Sequence, residues 1–67
     1  MREISSKYVD TEDGVVICWK EIACSSSETK PTEGIAAGSI CEETDPFTST
    51  VSVYLFDEPS KTWVPWF

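Results

Sequence analysis

The sequence contains no histidine. That removes the commonest metal ligand and the usual activator of a serine or cysteine nucleophile. Cysteine is present in odd number, as Cys18, Cys24 and Cys41, so a fully paired intrachain framework is excluded. The closest of these spacings has five residues between the cysteines, too wide for the C-x₂₋₄-C pair of a structural zinc site, and a fourth ligand is missing. Glycine-rich phosphate loops are absent. Residues 10–14, DTEDG, place glycine fifth where a calcium loop needs it sixth, and their flanks predict no helices. Paired carboxylates for glycoside chemistry need a cleft that 67 residues rarely enclose. The expectation is a protein that is not an enzyme, with no catalytic residue, no metal site and no cofactor.

Basic residues are also scarce. Five Lys and Arg face twelve Asp and Glu, a net charge of −7 on 7.5 kDa. Direct binding to nucleic acid or to an anionic membrane would be opposed by that charge. A basic protein partner would be attracted and steered in, although acidity also serves a small protein's solubility. No apolar run approaches the roughly 20 residues of a membrane helix, and the opening MREISSKYVD lacks the apolar core of a secretory signal. These absences lead to the expectation of a cytoplasmic protein, in the cytoplasm of a host cell if virus-encoded. Its thiols would be reduced and act as small core hydrophobes.

What the chain does contain fits one small globular domain, 1–67. Forty per cent apolar residues with eight aromatics exceed what a disordered segment carries. A domain this short buries only about 60% of its unfolded surface. The aromatics are therefore expected in the core, unless an oligomer supplies the missing burial.

Turn-forming stretches divide the chain at TEDG (11–14), SSSETKPTEG (25–34), EETDP (42–46) and DEPSK (57–61). Between them lie short runs rich in β-branched and aromatic residues. GVVICWKEIAC (14–24) sets Val15, Ile17 and Trp19 on one face and Val16, Cys18, Ile22 and Cys24 on the other, which suits a central strand. TVSVYLFD (50–57) alternates Val51, Val53 and Leu55 with Ser52, Tyr54 and Phe56. Residues 3–10 predict a strand paired across the Asp-Gly turn, and 61–66 an edge strand, because Pro65 has no N–H to donate. GIAAGSICEE (34–43) is compatible with a small-residue strand over 35–42 or with a short helix. The fold class is then mainly β, a small antiparallel meander or half-open barrel of four to five strands. With a helix around 33–43 it becomes α+β.

Function is expected on two features. Eight acids fall in three turn clusters: Asp10, Glu12 and Asp13; Glu42, Glu43 and Asp45; Asp57 and Glu58. In an antiparallel meander the 11–13 and 43–49 turns share one end, so the first two clusters would converge into a negative rim able to occupy a basic channel built for nucleic acid. The second feature is WVPWF at residues 63–67, which predicts Trp63 and Phe67 on one strand face and Trp66 on the other, one side core and the other a partner anchor. The expected partner-binding residues are Asp10, Glu12, Asp13, Glu42, Glu43, Asp45 and Trp66.

In size and charge the chain resembles small virus-encoded inhibitors, anti-CRISPR proteins among them, a resemblance of profile that no motif accompanies. It implies an inhibitor or decoy, a DNA mimic bound to a basic nucleic-acid-handling protein. Two alternatives stay open. One is a small structural homo-oligomer, such as a homodimer, assembled through the C-terminal aromatic strand. The other is a small-barrel adaptor that binds Pro-rich peptides.

Overall fold

Period-two alternation builds strands over most of the chain. The computed structural model describes residues 1–66 and contains one five-stranded sheet in chain order. Its strands are β1 (Arg2–Glu12), β2 (Val15–Ser25), β3 (Ile40–Thr44), β4 (Val51–Asp57) and β5 (Thr62–Pro65). The protein is mainly β, the sheet is open and not closed into a barrel, and no helix occurs among the described residues. β1 and β2 meet at a two-residue turn in which Asp13 (φ 51°) and Gly14 (φ 80°) are both left-handed. That turn matches the twist of the strands it joins, which is why Asp-Gly stands there. β2 lies between β1 and β3, an interior position, as its two apolar faces predict.

One pairing departs from the expected antiparallel meander. β2 and β3 run parallel, from Glu21 beside Ile40 to Ser25 beside Thr44, whereas the other three pairs are antiparallel. Parallel neighbours need a crossover of a dozen or more residues, and the polar stretch from Ser26 to Ser39 supplies it. The crossover is fixed by backbone bonds. Cys18 N donates to Gly34 O (2.9 Å) and Ala36 N to Cys18 O (2.9 Å), which seats Ile35 beside Cys18 at the head of the lane that β3 continues. Gly34 is left-handed (φ 71°), and a Cβ there would lie 2.8 Å from Val16 O, so only glycine permits this approach. A tight turn follows: Ser39 N (3.2 Å) and Ser39 Oγ (2.8 Å) both donate to Ala36 O, and Lys20 N donates to Ser39 Oγ (3.0 Å). The segment 35–42 is thus neither one strand nor a helix. It is a bridge at Ile35, a turn, and a strand that starts at Ile40.

The core lies on one side of the sheet. Ile22 and Cys24 of β2 and Cys41 of β3 form a buried cluster, with Tyr54 of β4 and Trp63 of β5 packed against it. The crossover lies over this face. Trp63 Nε1 donates to Pro31 O (2.8 Å), Lys30 forms an ion pair with Glu43, and the Lys30 ammonium sits 4.4 Å from the centre of the Tyr54 ring. Of the aromatics expected inside, Phe56 is buried and Tyr54 and Trp63 partly so, while Tyr8, Phe47 and Trp66 are exposed. The core is smaller than the aromatic content suggests.

Cys24 and Cys41 pack thiol against thiol, Sγ to Sγ 3.3 Å, inside this cluster. Burial, and then the neighbouring Cys24 thiol, pushes the Cys41 thiol up from 9.0 to about 12. Burial alone would lower the Lys30 ammonium, but the hydrogen bond and charge of Glu43 outweigh it and raise the group. A raised folded-state value means that the unfolded chain releases its proton first. The stabilisation is complete below pH 9 and is lost as pH climbs toward 12, at up to about 1.4 kcal/mol per pH unit for one thiol. Urea melts at pH 7 and pH 10.5 should show this loss, and Cys41→Ala should reduce it. A pH-independent midpoint over that interval would contradict the burial of Cys41.

Candidate functional site

The parallel pairing decides where the acids lie. β1 and β2 form a hairpin whose Glu12–Val15 end extends past the other strands, and it carries Asp10, Glu12 and Asp13, all exposed. Glu42, Glu43 and Asp45 lie toward the opposite end, where β3 turns into β4. The rim expected from these two clusters is therefore not formed. With β2 and β3 parallel, the β1–β2 and β3–β4 turns are at opposite ends of the sheet, and β2 alone spans about 33 Å between its ends.

Within the second cluster the three residues have three environments. Glu43 is on the covered face, its side chain 15% exposed, and is held by Lys30. Asp45 organises its own turn: its Oδ1 accepts from Phe47 N (2.9 Å) and its carbonyl from Ser49 N (2.8 Å). Glu42 alternates to the other face of β3, between Ala23 and Val53.

That other face is open. Strand parity and register place on it Ile17 and Trp19 of β2, Ile40 of β3, Val51, Val53 and Leu55 of β4, and Val64 of β5. Trp66 N donates to Val53 O (2.8 Å), which continues the β4–β5 ladder and aligns Trp66 with Val53 and Val64. Trp66 is 57% exposed, and Val51 and Val64 are likewise exposed. Trp63 points to the covered face, edge-on to Phe56 with ring centroids 5.1 Å apart. The two tryptophans therefore divide as their spacing predicts, one in the core and one on the open face. Phe67, expected beside Trp63, lies outside the described residues.

A shallow depression of about 330 Å³ crosses the open face, floored by Leu55 and Val64 and bordered by Gly38, Asp57 and Trp66. The Trp19 indole closes the sheet beside it by donating from Nε1 to Gly38 O (2.9 Å). On β2 to β5 the charged residues of this face are Glu21, Glu42 and Asp57, and none is basic. Asp10 and Glu12 are on the same side of β1, opposite Ile17 and Val15, while Arg2 and Lys7 on β1 are its only cations.

The chain matches no protein-family model, no curated protein and no solved structure.

The sheet edges offer less than its open face. β5 is four residues long and ends in Pro65, which has no N–H for an added strand. β1 is long but carries register breaks between Glu3 and Ser5 and between Tyr8 and Asp10, the kind of irregularity that blunts an edge. No group of three or more metal-donor side chains occurs among the described residues. Among those residues no helix is long and apolar enough to cross a membrane.

Reasoning from sequence names Trp66 and Glu42 as candidates but does not place them on the one sheet face they share. The signal is present: Val51, Val53 and Leu55 occupy one parity of β4, Ile17 and Trp19 one parity of β2. The missing step is which parity the crossover covers. It covers Tyr54 and Phe56, leaving Val51, Val53 and Leu55 of β4 outside.

Proposed function

We propose that this chain is a small acidic protein-binding protein that occupies the basic site of a nucleic-acid-handling partner and keeps nucleic acid out of it. The observation that carries this reading is the surplus of acid left after internal pairing. Among the described residues, Glu3 pairs with Lys20, Glu28 with the Met1 amine and Glu43 with Lys30, which leaves nine carboxylates against Arg2, Lys7 and Lys61. Five of the nine, Glu12, Asp10, Glu21, Glu42 and Asp57, share the open face. From the level of Glu12 to that of Glu42 they extend over about 26 Å along the sheet. A decoy of this kind presents the open face of the sheet to its partner. Such a field speeds encounter with a basic partner and repels nucleic acid itself.

The test is a pulldown with the full chain as bait, repeated at low and high salt. The expected result is capture of a nucleic-acid-binding protein that double-stranded DNA displaces and high salt releases. The variant Asp10→Asn/Glu12→Gln/Glu42→Gln should bind that partner at least about tenfold more weakly. Capture indifferent to salt, to DNA and to those three substitutions would overturn the reading.

A further inference from the structure

We infer that the open face is a docking surface for one amphipathic, basic α-helix of a partner protein, laid along β4 over Val53, Leu55, Val64 and Trp66. The inference rests on the proposed binding of a basic partner and adds the surface used and the shape of what it receives.

A sheet buries one face against another layer, and here the crossover supplies that layer over Tyr54, reaching the open side at Gly38. The remaining side carries two adjoining rows, Leu55 between Val64 and Ile40, then Val53 between Trp66 and Glu42, so that one row is aliphatic and the next ends in an acid. From β2 to β5 the strip measures about 14 Å across, close to the 10–12 Å of a single helix with its side chains. Along β4 its rows climb in steps of about 6.6 Å, near the helical pitch of roughly 5.4 Å, so residues one turn apart can each meet a row.

Charge selects the kind of helix. The acids of β2 and β3, Glu21 and Glu42, stand on one flank of the strip, and Asp57 stands at the β4 end of the depression. Val64 and Trp66 form the other flank. A helix with apolar residues at i, i+3, i+4 and i+7 and Lys or Arg beside them places its cations against the acids and its stripe on Leu55 and Val53. The long basic side chains can lay their stems on Trp66 and reach past it.

A second copy fits worse. Stacking two of these faces would bring both sets of Glu21, Glu42 and Asp57 into one gap about 10 Å thick, between chains of charge −7 each.

The experiment uses the full chain labelled with ¹⁵N and an 18-residue peptide of Leu and Lys in helical amphipathic order. A scrambled peptide of identical composition serves as the control. Saturable shifts of the amides of Trp19, Ile40, Val53, Leu55 and Val64 are expected, with the scrambled peptide binding roughly tenfold more weakly. Val64→Lys, at an exposed position, should weaken the ordered peptide about tenfold without moving the melting temperature, and Glu42→Gln/Asp57→Asn should weaken it about threefold and flatten its salt dependence. Three results would overturn the inference: equal binding of both peptides, shifts confined to the Asp10–Gly14 tip, or a dimer of the free chain that Val64→Lys dissociates. If the pulldown finds its partner while the shifts fall on the tip, the docking surface is wrong and the proposed function stands. If the peptide binds the face while no nucleic-acid-handling partner is captured, the reverse holds.

Discussion

Trp63→Ala is expected to lower the melting temperature by at least about 12 °C or to abolish the cooperative transition, whereas Trp66→Ala leaves it within about 5 °C. The two residues are three apart, on opposite faces of the same edge. Trp63 packs on the Ile22–Cys24–Cys41 cluster, meets Phe56 edge-on and donates its indole N–H to Pro31 O at 2.8 Å. Truncating such a residue costs about 3–5 kcal/mol. A 67-residue domain holds about 3–10 kcal/mol in all, and each kcal/mol moves its midpoint by about 4–8 °C. Loss of the Pro31 bond also releases the crossover, the layer that the described residues place over that face. Trp63→Phe separates the two effects: it keeps a ring against Phe56 and removes the indole donor, so it should cost roughly 1 kcal/mol. Thermal melts followed by circular dichroism measure all three variants. Equal destabilisation by Trp63→Ala and Trp66→Ala would mean that the chain end is not divided between core and surface.

The contrast also shows what the sequence makes legible. The strands were readable because β2 and β4 alternate or carry paired apolar faces, and the Asp13-Gly14 turn announces its own geometry. The split of Trp63 from Trp66 follows from strand parity alone. The direction of β3 was not readable, because a run such as GIAAGSICEE carries no mark of which neighbour it joins or in which sense. That direction is decided by tertiary bonds from Cys18 to Gly34 and Ala36, seventeen residues away in sequence on average, and by a glycine that admits Val16 O. Which acids share an end depends on that direction, and with β2 and β3 parallel the two clusters lie apart. Glu43 illustrates a second limit. In sequence it equals Glu42, yet one residue of alternation sends it to the covered face, where the crossover brings Lys30 to meet it.

That meeting carries the second large effect. Lys30→Met is expected to cost about 2–3 kcal/mol, Glu43→Gln clearly less, and the double variant less than Lys30→Met alone. The side chains are only 17% and 15% exposed, so the pair lies nearer to the buried class, where orphaning one partner costs about 3–5 kcal/mol, than to surface pairs worth up to about 1 kcal/mol. The order follows from what each change strands. Lys30→Met keeps an apolar stem over Tyr54 but leaves the Glu43 carboxylate covered and without its cation. Glu43→Gln leaves the ammonium over the Tyr54 ring at 4.4 Å and an amide oxygen to accept its hydrogen bond. Removing both charges strands neither, which is why the cycle should show a coupling of at least about 1 kcal/mol. Urea melts of the four proteins measure it, and hydrogen exchange of the Ile22 and Cys41 amides reports whether the crossover has lifted. Additive costs with unchanged exchange would assign the hold on the crossover to the Trp63–Pro31 bond and the Gly34–Cys18 ladder. In that case Glu43 would remain on the covered face beside Lys30 without tying the crossover down.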